Sequence, residues 1–181
     1  MKRLVIISIF SMVLLACNDS KTTADTVAVK DASDTQPKQS EFADAKYVDI
    51  GKQMMQKFES GDIDSWVDMY ADNAVYRWSS GDSLAGKKAI SDYWKNRRSN
   101  VLDSVHFSND IWLPLKVNEP QKGPDLKGNW LLSWYQVNAQ YKGGKKLMFW
   151  VHTDYHFDAN DKIEVAIQYI DMAPIKAALM K

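Results

Sequence analysis

Apolar residues along the chain recur first at helical and then at strand spacing. Phe42, Tyr47, Ile50, Met54, Met55 and Phe58 fall largely three or four positions apart, on one face of a helix, and Ser60-Gly61 supplies the stop. Asp62 or Asp64 is placed to cap a second, short helix carrying Trp66, Met69 and Tyr70. Ala74–Ser79 is a β-rich run ending at the turn signal Ser80-Gly81-Asp82. Gly86 opens a third helix with Ile90, Tyr93 and Trp94 on one side; Lys95, Arg97 and Arg98 lie toward its end, where cations suit the dipole. Beyond Asn100 the signals change to strands, expected near 104–117, 129–142, 145–157 and 163–172, with Pro174 closing the last. Three helices followed by a long, mostly antiparallel sheet predict an α+β fold. A strongly bent sheet with the helices packed in its concavity would form a cone with an apolar interior.

One hairpin can be read in register. Lys142-Gly143-Gly144-Lys145 predicts a two-residue turn, because glycine tolerates the positive φ such turns require. Pairing Lys142 with Lys145 sets Gln136 opposite Val151, Trp134 opposite Thr153 and Leu132 opposite Tyr155. Side chains alternate faces. One face is then expected to carry Trp130, Leu132 and Trp134 with Val151, Thr153 and Tyr155. The other is expected to carry Ser133, Tyr135 and Val137 with Trp150, His152, Asp154 and His156.

The N-terminus adds a location. Met1-Lys2-Arg3, an apolar run from Leu4 to Leu15 and a small residue before Cys17 read as a secretory signal. The run is shorter than the roughly 20 residues a membrane span needs. Leu14-Leu15-Ala16-Cys17 resembles the lipobox of bacterial lipoproteins. The resemblance implies cleavage of residues 1–16 and a mature N-terminal Cys17 carrying a diacylglycerol and an acyl chain such as palmitate. The chain is thereby expected in the bacterial cell envelope, lipid-anchored on the periplasmic or outer-surface side. Several acyl chains satisfy the two-signal requirement for stable anchoring, so membrane contact is expected through this lipid only. Residues 17–40 are polar, with Val27 and Val29 as the only bulky apolars, and read as a flexible tether with a reach of roughly 25–30 Å. Residues 41–181 form the folded domain. Cys17 is the single cysteine, so no intramolecular disulfide forms. With Lys2 and Arg3 removed, 21 of the 23 basic residues face 23 acidic ones, which argues against nucleic acid as a partner.

Three passages then point to a family. Gly61-Asp62 with Tyr70-Ala71-Asp72-Asn73-Ala74, Gly86 followed by Ile90, and Phe157-Asp158-Ala159-Asn160-Asp161-Lys162-Ile163 resemble, in order, motifs of the SnoaL-like branch of the nuclear transport factor 2-like superfamily. Asp161 stands where that family usually has glycine. The resemblance implies a cone-shaped fold with a pocket at its mouth. It places Tyr70, Trp78, Trp94, Thr153, Tyr155 and Gln168 in that pocket, and the hairpin register adds Trp134. The last hairpin leaves an alternative open, since Val165, Ile167 and Tyr169 also make an inner stripe. The fold hosts isomerases, cyclases, dehydratases, hydrolases and plain binding subunits. Ketosteroid isomerases place their base and two donors at positions occupied here by Trp78, Met54 and Thr153, so that chemistry is not expected.

Such a pocket, with Thr153 and Gln168 as polar handles, suits a small apolar or aromatic molecule without a cofactor. His152, Asp154 and His156 alternate on one strand, but about 7 Å apart along it and on the face away from the pocket, so no metal site is expected. Asp154 and Asp171 are the candidate carboxylates for acid–base chemistry, and Asp171 equally suits a cap at the strand end. The loop from Asn118 to Gly128 is longer than a hairpin needs, which leaves a lid or an idle insertion open. The mixed sheet face bearing Trp150, Tyr135 and Val137 suits contact with a second copy, giving a homodimer as a further expectation.

Overall fold

A computed structural model of the chain describes residues 38–121 and 125–179. The expected signal, Cys17 and the tether as far as residue 37 lie outside the described residues, as does the middle of the Asn118–Gly128 loop. Residues Gln36–Lys181 form one compact unit. Its elements are β1 (Ser40–Phe42), α1 (Lys46–Ser60), α2 (Ile63–Val67), β2 (Tyr70–Trp78), β3 (Ser83–Ala85), α3 (Lys87–Asn100), β4 (Leu102–Val117), β5 (Gly128–Tyr141), β6 (Lys146–Phe157), β7 (Ile163–Tyr169) and α4 (Met172–Leu179). The strands make one sheet in the order β1-β4-β5-β6-β7-β2-β3. Every pairing is antiparallel except β2 with β7. This is the expected α+β class with a bent, mostly antiparallel sheet.

Local chemistry accounts for the element ends. Asp62 caps α2, its Oδ1 accepting the Ser65 amide at 3.1 Å. The sheet bends where β4 bulges between Ser108 and Ile111; there Asn109 takes a φ of 53° and its amide donates to Gln136. β7 ends at Tyr169 rather than near 172. Pro174 falls in the first turn of α4, where a missing amide hydrogen leaves no bond unmade. Asp171 starts that helix by accepting the Ala173 amide at 2.9 Å. β1 takes in Ser40, assigned above to the tether, by pairing it with Val117.

The hairpin register differs from the expected one by a single residue. Lys142 does not pair with Lys145: its amide donates to the Val101 carbonyl at 3.0 Å, and Tyr141 pairs with Lys145 instead. The loop therefore holds three residues, with φ 99° at Gly143 and 89° at Gly144. Trp134 consequently faces His152, Leu132 faces Asp154 and Ser133 faces Thr153. A one-residue slip moves a strand's whole set of side chains to the opposite face. The inner face joins Leu131, Ser133, Tyr135, Val137 and Ala139 of β5 to Phe149, Val151, Thr153 and Tyr155 of β6. The outer face joins Trp130, Leu132 and Trp134 to Trp150, His152, Asp154 and His156.

The helices contribute rings to the inner-face cluster. Phe58 of α1 lies 6.0 Å from Phe107 of β4, and Trp94 of α3 lies 5.7 Å from Tyr76 of β2. A smaller apolar cluster of Val117, Trp130, Val165 and Ile167 sits on the outer face.

Asp161 illustrates how a departure from a family pattern is compensated. It adopts φ 58°, a conformation glycine takes without strain, but its carboxylate accepts bonds from Lys46 Nζ and Tyr47 Oη, each at 2.8 Å. These tie α1 to the β6–β7 turn. Burial first, and the bond to Asp161 second, push the Tyr47 phenol up to about 12, so it remains a neutral donor. Asp161→Gly relieves about 1 kcal/mol of strain, but removes the charge-assisted bonds from Tyr47 Oη and Lys46 Nζ, a loss of about 2 kcal/mol. A net loss of about 1 kcal/mol is expected in urea titration, with Asp161→Asn staying nearer wild type because its amide oxygen still accepts.

Candidate functional site

Between the inner sheet face and side chains of α1 to α3 lies a cavity of about 100 Å³. α1 contributes Met54, Met55 and Phe58; α2 contributes Trp66; α3 contributes Trp94 and Arg97. The sheet contributes Tyr76, Phe107, Tyr135, Val137, Tyr141, Phe149, Val151, Tyr155 and Gln168, and Ile170 and Ile175 close one side. An engineered apolar cavity in another protein, about 150 Å³ in size, stays dry and admits benzene. The present one is smaller, on the scale of a single small ring or chain.

The expected pocket residues divide by where the register places them. Trp94, Tyr155 and Gln168 line the cavity. Thr153 stands on the same face one layer behind: its Oγ1 is 3.0 Å from Tyr135 Oη, and its carbonyl accepts the Ser133 hydroxyl at 2.8 Å. Trp78 donates from Nε1 to Gln168 Oε1 at 3.1 Å, which fixes the amide. Tyr70 is buried against Trp66, with ring centroids 4.8 Å apart. Trp134 is not in this group. The shifted register puts it on the outer face, stacked on His152 at 4.4 Å. The inner stripe of β7 is Ala166 and Gln168, opposite Tyr155 and Thr153, while Val165 and Ile167 belong to the outer cluster.

The cavity wall is rich in hydrogen-bond donors. Trp94 Nε1 is buried with no partner among the described residues. Burial holds the phenols of Tyr76 and Tyr155 well above their ordinary range and raises that of Tyr135, so all three stay protonated. Among the described residues no aspartate, glutamate or histidine lines the cavity, and Arg97 is its one charged side chain. Sequence reasoning read Arg97 only as a favourable charge at a helix end; its reach into the cavity depends on where α3 packs. Among the described residues, the polar groups of the wall are therefore neutral donors and acceptors together with the Arg97 cation.

Neither candidate carboxylate faces this space. Asp171 is exposed and serves as the cap of α4. Asp154 lies on the outer face, where burial raises its carboxyl above the usual range against an opposing pull from His152, whose Nε2 is 2.9 Å away. The His152 Nδ1 lies 2.9 Å from the Ser133 carbonyl. His156 Nδ1 lies 2.8 Å from Glu164 and its Nε2 3.0 Å from the Lys127 carbonyl. The two histidines thus hold separate partners, and among the described residues no three His, Cys, Asp or Glu gather to hold a metal ion.

A bent, mostly antiparallel sheet and its helices enclose an aromatic cavity in an α+β domain. Residues 52–165 match the SnoaL-like domain family, and the chain belongs to that family within the nuclear transport factor 2-like superfamily. Its fold is similar to a proposed isomerase from Bacillus subtilis (TM-score 0.57, 18% identity, covering 74% of this chain and 91% of that one). It is similar to a proposed polyketide cyclase from Xanthomonas campestris (TM-score 0.57, 12% identity, 72% and 93%). It is also similar to SalBIII, an epoxide hydrolase/cyclase-like enzyme with a role in pyran ring formation in the polyether salinomycin (TM-score 0.54, 15% identity, 70% and 92%). No curated protein matches the sequence. At these identities the likeness concerns the fold.

Proposed function

We propose that this chain is a lipid-tethered SnoaL-like domain that binds a small, largely apolar or aromatic molecule in the inner cavity, without a cofactor. The observation that carries the reading is the cavity wall itself: aromatic rings around about 100 Å³, with the Trp94 indole N–H buried and without a partner among the described residues. An empty apolar void forfeits dispersion contacts, and a buried donor without an acceptor is costly, so a guest with one acceptor relieves both. The tether rests on the lipobox-like Leu14–Cys17, which implies the cell envelope as location and the Cys17 lipid as the link to the membrane.

A second reading, a cyclase, dehydratase or hydrolase acting on a similar ligand, draws on the cyclase and hydrolase names among proteins of this fold. A wall without a carboxylate or imidazole among the described residues favours binding over that chemistry. The homodimer reading keeps only part of its expected surface: Tyr135 and Val137 turn inward to the cavity wall, while on the outer face Trp150 is 52% and Met148 65% exposed. That contact, if made, leaves the inner cavity free.

Calorimetric titration with acetophenone, a ring bearing one acceptor, tests the binding reading. Saturable binding is expected, lost in Val137→Phe, which fills the space, and unchanged in Trp134→Ala on the outer face. Heat that does not saturate, or that persists undiminished in a folded Val137→Phe protein, overturns it. Release of a converted product would select the enzyme instead.

A further inference from the structure

We infer that the cavity takes molecules bearing a carboxylate, with Arg97 as the residue that recognises it; this rests on the binding reading above. Arg97 is half-buried and lines the cavity from the last turn of α3. Among the described residues it pairs with no carboxylate, whereas Lys46, Lys87, Lys88, Lys95 and Lys116 each do. Its partner in the wall is a neutral phenol: Tyr141 is 1% exposed, and the guanidinium, by its charge first and a hydrogen bond to the hydroxyl second, opposes the upward push of burial there. A partly desolvated cation facing an apolar space lacks the anion that would balance it.

The rest of the wall narrows the ligand class. Its polar groups are the neutral Trp94 indole, the tyrosine hydroxyls and the Gln168 amide, and among the described residues no side-chain carboxylate competes for the guanidinium there. A basic ligand would meet Arg97 with like charge and find no acid. A neutral hydrocarbon would leave Arg97 without an anion. A small aromatic or short aliphatic carboxylate supplies the missing anion and fills the apolar space with one molecule. Its body fits among Phe58, Trp66, Trp94 and Tyr155, and its two oxygens meet the planar fork that guanidinium presents. The size of the cavity confines the apolar body to about one ring.

Phenylacetate and phenylacetamide share shape and ring and differ in charge. Titrated separately into the purified full chain, phenylacetate is expected to bind roughly tenfold more tightly, the difference between a charge-assisted and a neutral hydrogen bond. In Arg97→Gln the preference should vanish while the amide keeps its affinity, and the carboxylate's affinity should lose its sensitivity to salt. Arg97→Lys, which keeps the charge but not the fork, should fall between. Equal affinities in the wild type, or a preference that survives Arg97→Gln, overturn the assignment to Arg97 while leaving the cavity as a binding site. Failure of acetophenone, phenylacetate and phenylacetamide alike overturns both.

Discussion

Replacing Gly51 by leucine is expected to destabilise the domain by about 3 kcal/mol, the upper part of the range for overpacking. Gly51 lies in the middle of α1 and is buried. A Cβ there would stand 2.5 Å from Cζ3 of Trp112 and 2.7 Å from Cδ2 of Leu131, well inside van der Waals contact. Leu131 is fully buried and cannot swing out, and the Trp112 ring is rigid, with its Nε1–H held by Asp110. Glycine in a helix interior gives up about 1 kcal/mol against alanine, so the sequence accepts a weaker helix to bring α1 close to β4 and β5. Gly51→Ala recovers that propensity yet already intrudes, and a smaller loss of about 1 kcal/mol is expected. Urea titration should show midpoints falling in the order wild type, alanine, leucine at constant slope. A leucine variant as stable as wild type would mean that α1 does not need this close approach.

What could be read from the sequence followed how local its determinants are. The stop of α1 at Gly61, the Asp62 cap and the opening of α3 at Gly86 depend on residues within a few positions, and each stands where expected. The long strands declared themselves through aromatic and β-branched runs. The hairpin register did not, because the Lys142 amide is claimed by Val101, some forty residues earlier in the chain. No local rule weighs that competitor, and the slip carried Trp134 out of the expected pocket. β1 and β3 are short, with one side chain at most half-buried, so they show no alternation to detect. α4 was hidden by Pro174, a stop signal in a strand but an acceptable first-turn residue behind the Asp171 cap.

The same division applies to the cavity. Tyr155, Gln168 and Trp94 were reached through family resemblance, which transfers a position without its hydrogen bonds. Arg97 was visible only as a charge near a helix end. Its meaning depends on which groups surround it in the assembled wall, where no carboxylate stands among the described residues, and on no single segment.

Trp66→Ala is expected to separate the structural use of the cavity wall from its binding use. Trp66 is 5% exposed, with its ring 5.4 Å from Phe58, 4.8 Å from Tyr70 and 5.8 Å from Trp94. α2 has only five residues, too few to persist without tertiary contacts, and this indole is its principal anchor to the core. Removing a buried tryptophan side chain costs about 3–5 kcal/mol, because the surroundings collapse only partly. The remaining void adjoins the existing cavity, since Trp66 is part of its wall. The variant should therefore lose several kcal/mol in urea titration and gain room for a second fused ring. Naphthylacetate, too large for the wild-type space, is expected to bind the variant and to raise its melting temperature, as any ligand specific to the folded state does. Phenylacetate should bind it less tightly than it binds wild type, because its ring no longer touches a wall on that side. A variant that loses stability yet gains no affinity for the larger ring would show that the wall collapses inward. The cavity would then be a packing defect of the aromatic core and not a compartment shaped for a guest.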